Sequence, residues 1–232
     1  MRTLATLSLA VFAGIGLAQQ AADVPSVDDV LAKAIKANGG KEAMEKITTL
    51  VSKGTIEVVT FGANGDIEIT RKAPDKQLTR STFEGFGEVV QCYDGKAGWA
   101  VMPDSGMRDV TGAELDAMRW GAQMNSLLHL KEQFPGMKVE KGKVGEKDAY
   151  VLGNEKTKLF FDATTSLMTR MELDGAQGKT VVSLDDFKPV EGVQMPHTMR
   201  QETPEMSLII RFAQMQANVP VEDSKFAKPA AK

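Results

Sequence analysis

From Thr48 to the end of "MSLIIRFAQMQ" at Gln216, the chain is written in short runs in which apolar and polar residues alternate, each run closed by Gly, Asn, Asp or Pro. A period of two sends successive side chains to opposite faces of an extended strand, so this stretch reads as a sheet with two distinct faces. The runs are "LVSKGTIEVVTF", "IEITRK", "KQLTRSTF", "EVVQCY", "AGWAVM", and later "MKVEKGKVG", "DAYVLGN", "TKLFFD", "LMTRMEL", "TVVSLDDF", "VQMPHTMRQE" and "MSLIIRFAQMQ". Between them stand turn signals: Asn64-Gly65, Pro74-Asp75, "EGFG", Asp94-Gly95, "GEKD", "DATTS", "DGAQG" and "PVEGV". Asn64-Gly65 is the strongest of these and predicts the first hairpin turn. Turn-bounded runs of this kind predict an antiparallel sheet of about 10–11 strands. So many sequential hairpins should curl into an unclosed β-barrel.

A curved sheet must bury its apolar face, and two helical segments are available to cover it. Ser26 followed by Asp29 is an N-terminal capping signal. Val30, Leu31, Ala34 and Ile35 then recur at helical spacing until Asn38-Gly39-Gly40 ends the helix. A second short helix is expected over Lys41–Ile47. The mid-chain segment opens on Thr111-Gly112-Ala113-Glu114, which has the capping-box pattern. Leu115, Met118, Ala122, Leu127, Leu128 and Leu130 continue it to Pro135, with a break expected near Gly121. The fold class is therefore mainly β (α+β), a half-barrel lidded by an N-terminal helix and a mid-chain helical segment.

The N-terminus, "MRTLATLSLAVFAGIGLAQQ", places Arg2 before an apolar run and small residues, Gly16 and Ala18, at the −3 and −1 positions of a cleavage site after Ala18. Those are the three parts of a cleaved signal peptide, residues 1–18. The run is shorter than a membrane-spanning helix requires. The residue directly after the cleavage point is Gln19 and not a cysteine, so a lipid anchor there is not expected. The mature chain should be periplasmic, monomeric and not membrane-spanning, with a half-barrel domain over 19–220 and a tail over 221–232 that is loose apart from Phe226. Loss of Arg2 makes the mature chain one unit more acidic than the −3 of the full sequence. A weakly acidic chain without basic clusters argues against nucleic acid and anionic surfaces as partners. With one cysteine there is no internal disulfide, so the 42% of apolar residues must supply the core.

Little in the sequence supports catalysis. His129 and His197 have no second ligand at metal spacing, and no nucleophile, phosphate-loop or zinc motif occurs. No catalytic residue, metal or cofactor is expected. A hydrolase built on Cys92, Asp94 and a histidine is the remaining enzymatic reading, but Cys92 lies among strand valines rather than at a helix N-terminus. With Asp94-Gly95 as a two-residue turn, Cys92 faces Ala97 and Val90 faces Trp99. Cys92, Val90, Ala97, Trp99 and Val101 then share an apolar face, while Gln91, Tyr93 and Lys96 share the other. A three-residue turn would instead set Trp99 against Gln91. The first register keeps the apolar residues together and makes Cys92 a small buried hydrophobe in a cavity wall.

Methionine is more informative. Eleven of the 13 methionines lie at or after Met102, and methionine adapts to apolar ligands of varied shape as readily as it fills a core. The alternation Met206, Leu208, Ile210, Phe212, with Met195 and Met199 before it, sets a flexible apolar face inside the curved sheet. Trp99, Trp120, Met118, Phe161, Met171, Met199, Leu208 and Ile210 are the candidate lining of a hydrophobic cavity.

Five segments occur in a suggestive order: "VDDVLAKAIKANGGKEAMEKITTLVSKGT", "YDGKAGW", "FFDATTSLMTR", "DFKPVEGVQMP" and "NVPVEDSKF". Together they resemble the LolA/LolB-like superfamily of exported, outer-membrane lipoprotein-sorting-like proteins across essentially the whole mature chain. Ser166 stands where the family's turn usually carries glycine. The resemblance implies an unclosed antiparallel barrel whose helices lid a hydrophobic cavity. It also implies a non-catalytic periplasmic carrier of a lipid or of the acyl chains of a lipidated protein. The alternative is a filled scaffold of the same fold that recruits an envelope protein.

Overall fold

A computed structural model of the protein describes residues 24–175 and 178–229. The expected signal peptide, residues 1–18, lies outside the described residues. The chain opens with helices α1 (Val27–Ala37) and α2 (Lys41–Glu45). Six strands follow: β1 (Thr49–Val58), β2 (Ala63–Lys72), β3 (Lys76–Phe83), β4 (Gly87–Tyr93), β5 (Gly98–Met102) and β6 (Gly106–Val110). The mid-chain segment forms α3 (Gly112–Ala122), a 3-10 turn (Ser126–His129) and α4 (Leu130–Gln133). Seven more strands complete the sheet: β7 (Lys138–Val144), β8 (Lys147–Gly153), β9 (Thr157–Asp162), β10 (Met168–Gly175), β11 (Gly178–Val190), β12 (Val193–Glu202) and β13 (Ser207–Ala217).

All 13 strands belong to one sheet in the order β6-β5-β4-β3-β2-β1-β13-β12-β11-β10-β9-β8-β7. Every registered pair is antiparallel, and the sheet stays open between β6 and β7. The count exceeds the expected 10–11: each of the twelve runs forms its own strand, and the thirteenth, β6, "GMRDV", carries almost no strand signal and buries only Val110. Two hairpin meanders, β1–β6 and β7–β13, are thus joined side by side through β1 and β13. Because β6 and β7 are the two edges yet consecutive in sequence, residues 111–137 must cross from one edge to the other. The helices of that segment therefore lie over one face of the sheet.

The capping signals divide. Ser26 Oγ accepts from the Asp29 backbone N–H at 3.1 Å, and the Asp29 carboxylate accepts from the Ser26 N–H at 3.2 Å. At Thr111 no side-chain cap forms. Glu114 is drawn away by a two-pronged pair with Arg108 at 2.7 and 2.8 Å, and Gly112 at φ 62° takes the chain out of helical geometry. The mid-chain helix breaks just after Gly121, as its sequence suggests, and restarts beyond Asn125 in the left-handed conformation.

Two turns differ from expectation. Asn64-Gly65 is not the first hairpin turn, since Val58 pairs with Ala63 and Gly65 lies within β2 opposite Ile56. That glycine serves a close approach: a Cβ there would stand 2.3 Å from the Thr82 carbonyl oxygen on β3. The β4–β5 connection spans Asp94–Ala97, closed by the Asp94 N–H to the Ala97 oxygen at 3.1 Å. The Asp94 carboxylate accepts from the Lys96 and Ala97 N–H groups, both at 2.8 Å. This side-chain bonding stabilises a longer loop and slides the register by two. Cys92 faces Trp99, Val90 faces Val101, and Ala97 is exposed in the turn. A shift of two preserves the faces, so Cys92, Val90, Trp99 and Val101 do lie together.

That shared face is the outer one. Along paired registers, Leu50, Arg71, Gln77, Tyr93 and Gly98 fall on the face under the helices, so Cys92 and Trp99 point away from it. They are covered instead by the C-terminal segment. Phe226 is 1% exposed against Leu78, Val90, Cys92 and Trp99. Its carbonyl accepts from Trp99 Nε1 at 3.2 Å and from Cys92 Sγ at 3.3 Å. Asp223 pairs with Lys72 and Lys76 at 2.9 and 3.1 Å, Lys225 with Glu68 at 3.0 Å, and Lys228 with Asp109 at 2.6 Å. The tail over 221–232, expected to be loose apart from Phe226, is thus tied to β2, β3 and β6 through residue 228. Burial pushes the Cys92 thiol up to about 12, with Asp94 adding to the effect, so it carries no nucleophilic thiolate at neutral pH.

Three outcomes follow from this packing. At the bulge between Lys53 and Gly54, a Cβ on Gly54 would stand 1.9 Å from the Arg211 carbonyl oxygen. Gly54→Ala should therefore cost about 3 kcal/mol in urea unfolding. Ser166 has φ 61°, where glycine is unstrained, so Ser166→Gly should raise the melting temperature by about 2 °C. Cys92 should label slowly with a thiol reagent in the folded state, and Phe226→Ala should speed labelling at least tenfold as the slot opens.

Candidate functional site

The helix-covered face carries two apolar clusters. The larger joins Val30, Leu31 and Ala34 of α1, Met44 of α2, and Leu127 and Leu130 of the crossing segment. Their sheet partners are Leu50, Leu152, Leu159, Phe161, Met171, Val182 and Val193. The smaller consists of Ile56, Ile67, Ile69 and Ile210, with Phe83, Met199, Leu208 and Phe212 packed around it. Met199 touches both clusters, so the apolar floor is continuous across β1, β2, β12 and β13. Around the larger cluster Met137, Met168, Met195, Met199 and Met215 are only partly buried. Five flexible thioether side chains at the margin of a core give it room to adapt.

Six of the eight predicted residues meet there. Phe161 and Met171 are in the larger cluster and Ile210 in the smaller. Leu208 packs beside Ile210, and Met199 bridges the two. Trp120 belongs to the cover, its ring edge-on to Phe134 at 6.2 Å between centroids. Met118 lies on α3 over Gly98 of β5, beside Leu115, which extends the cover toward the β6 edge. Trp99 is on the opposite face beneath Phe226 and takes no part. The sequence reading missed Ile56, Ile67 and Ile69, although the alternation "DIEIT" carries the signal for the last two.

Polar groups punctuate this floor. Arg71 follows Ile67 and Ile69 on the same side of β2, and its Nε donates to Gln77 Oε1 at 2.8 Å. Burial holds its pKa below the ordinary guanidinium value. In the cover, Trp120 Nε1 and Gln133 Oε1 are buried without a hydrogen-bond partner. A cleft of about 370 Å³ opens between α2, the β2–β3 turn and the break after α3. Glu45, Asp75, Arg119, Gln123, Met124, Leu128 and His129 line it. A second, of about 550 Å³, lies at the tips of β1–β3 and is lined by Ile56, Phe83, Glu57, Asp66 and Arg211 among others.

The groups weighed for catalysis are dispersed. Cys92 is sealed on the outer face. His197 is buried with Nδ1 at 3.0 Å from the Met195 carbonyl, and His129 sits with Nδ1 3.3 Å from Glu132. Asp162 is the buried carboxylate of a turn, accepting from the Thr164 and Thr165 N–H groups at 3.0 and 2.7 Å. Burial works to raise its pKa, but those bonds outweigh it and leave the value lowered. Among the described residues no group of three or more His, Cys, Asp or Glu side chains could hold a metal ion. Among the same residues no helix is long and apolar enough to cross a membrane.

No family model matches the sequence, and no curated protein sequence matches it. Solved structures do. A DUF1329 family protein from Desulfovibrio piger superposes with a TM-score of 0.59 at 12% identity, over 87% of this chain and 97% of the other. A LolA superfamily protein from Nitrosomonas europaea gives 0.56 at 13% identity, over 88% and 98%. A domain assigned as an outer membrane lipoprotein-sorting protein from Vibrio parahaemolyticus gives 0.54 at 10%, over 86% and 96%. At such identities the likeness speaks for the fold alone, and it extends over nearly the whole of each partner. The chain has the unclosed, helix-covered antiparallel barrel fold seen in these LolA-superfamily and lipoprotein-sorting structures.

Proposed function

We propose that the protein is a non-catalytic carrier of the bacterial periplasm that holds a lipid, or the acyl chains of a lipidated protein, against its helix-covered face. The observation that carries this reading is the continuous apolar floor bridged by Met199 and edged by partly buried methionines. An acyl chain laid along it gains about 0.8 kcal/mol for each methylene removed from water. Burying about six would therefore supply about 5 kcal/mol before the costs of association. No bond need be made or broken, and the dispersed histidines and sealed cysteine suit that. The cover is suited to yielding, because it is built of short pieces broken between Ala122 and Ser126. A chain entering under it would displace the contacts that Leu127 and Leu130 of the cover make with the floor rather than disrupt the sheet.

A second reading rests on a different observation. Phe61 and Phe86, 74% and 49% exposed, stand at the β1–β2 and β3–β4 turns on one rim of the sheet. Paired exposed aromatics of this kind fit a scaffold that recruits an envelope protein.

Organic extraction of the purified protein followed by mass spectrometry should recover co-purified lipid, and the protein should take up a fluorescent fatty acid. Met199→Gln places an amide at the junction of the clusters and should weaken uptake about tenfold. Absence of both extracted lipid and uptake in the wild type would remove the carrier reading and leave the scaffold.

A further inference from the structure

Seven arginines are described, and six of them pair with a carboxylate: Arg80 with Glu88, Arg108 with Glu114, Arg119 with Asp116, Arg170 with Glu172, Arg200 with Glu202 and Arg211 with Glu57. Those six lie toward solvent, on or around the sheet. Arg71 has no carboxylate partner, and it is the one set into the apolar floor. Its neighbours across the strands are Leu50 on β1 and Gln77 on β3, and Ile69 precedes it on the same side of β2. Leu50 belongs to the larger cluster and Ile69 to the smaller, so the guanidinium stands where the two meet.

A charge placed among apolar side chains is costly unless an opposite charge and hydrogen bonds compensate it. Here the protein supplies part of the compensation, and the half-buried side chain leaves the rest to solvent or to a ligand. Gln77 holds Nε at 2.8 Å and is itself steadied by donating from Nε2 to Thr79 Oγ1 at 3.4 Å. That contact fixes the plane of the guanidinium and leaves its two terminal nitrogens without a protein acceptor. Two parallel N–H donors are the fork that binds a carboxylate or phosphate in a two-pronged manner. A second donor without an acceptor, Trp120 Nε1, is buried in the cover of the cluster that contains Leu50.

We propose that Arg71 is the anchor for the anionic head of a lipid, carboxylate or phosphate, whose chains lie on the floor between the two clusters. The proposal rests on the carrier reading and narrows its ligand from any lipid to an anionic amphiphile. Gln77 is a positioning residue that holds the fork, and the flanking isoleucines and Met199 receive the chain. The site selects by a head group that can satisfy Arg71, because a chain seated on the floor displaces water from the guanidinium and a neutral head would then leave the charge unpaired.

The test compares lipids of one chain length and different heads. Palmitate and palmitoyl lysophosphatidate should each bind the wild type at least tenfold more tightly than monopalmitoylglycerol, and the tighter of the two identifies the head. Inorganic phosphate should bind at least tenfold more weakly than palmitoyl lysophosphatidate. Arg71→Gln should abolish the preference by bringing the affinities of the two anionic lipids down to that of monopalmitoylglycerol, and Arg71→Lys should restore part of it. Gln77→Leu should reduce the preference several-fold with Arg71 intact. Because the wild-type comparison needs no variant, it stands even if Arg71→Gln folds poorly. Equal binding of anionic and neutral lipids by the wild type overturns the proposal while leaving the carrier reading intact. Inorganic phosphate binding as well as the lipids overturns the lipid assignment of the site. Binding of none of the four probes overturns the site and the carrier reading together.

Discussion

The ladder between β1 and β13 determines how everything else is arranged. Each half of the protein is a meander that hairpins could build locally, but the two halves become one sheet only where the first strand meets the last. Their register runs from Leu50 opposite Ala217 to Val58 opposite Leu208, with a bulge at Gly54 that lets the β13 backbone come close. Once the termini are paired in the middle, β6 and β7 are forced to the outside edges. The connection between them then has nowhere to run but across a face. The lid is in this sense a consequence of topology: a segment of moderate apolar content becomes a cover because its two ends are pinned to opposite edges. A cover held at its ends and broken in its middle is also the element that can open while the sheet remains intact.

That same topology gives the sheet two buried faces near β3–β5, which is where the sequence was hardest to read. Alternation showed that Cys92, Val90 and Trp99 share a side, and they do. It could not show which side, because Tyr93, Gly98 and Ala100 on the other are just as buried, beneath α3. Hydrophobic periodicity distinguishes inside from outside only when one face meets water. The deciding fact is the docking of Phe226, contributed from more than a hundred residues away by a tail whose composition suggests no structure. Strand existence, the two helical segments, the Ser26 cap and the alternation of Leu208 and Ile210 were legible because each is a local pattern. The turn at Asp94 and the uncapped Thr111 were not, because a side chain was recruited by a neighbour the sequence does not identify.

The candidate site divides along the same line. Phe161, Met171, Met199, Leu208 and Ile210 come together because each sits in phase on a strand whose inner face is apolar. Arg71 fell outside any such reading: in "IEITRK" it looks like a charge at the end of a strand, ordinarily solvated. Only the pairing of β2 with β1 and β3 turns it inward, in step with Ile67 and Ile69, while Lys72 turns outward to bind Asp223 and the Val221 carbonyl of the tail. Two adjacent basic residues thus have opposite fates.

The contrast between those neighbours bears on what the inner face is for. Lys72 is matched by an acid and a carbonyl, and its place is explained by the stability of the tail. For Arg71, folding alone offers no such explanation. A methionine would extend the floor from Ile69 to Leu50 without a charge to compensate. A half-buried guanidinium kept in plane by Gln77, with no carboxylate to pair it, is therefore a group whose place folding does not explain. Structures store unfavourable polar groups where a ligand later relieves them. On that argument the inner face has two parts with different tasks: methionines that accommodate chains of varied shape, and one fixed fork that sets what the chain must end in.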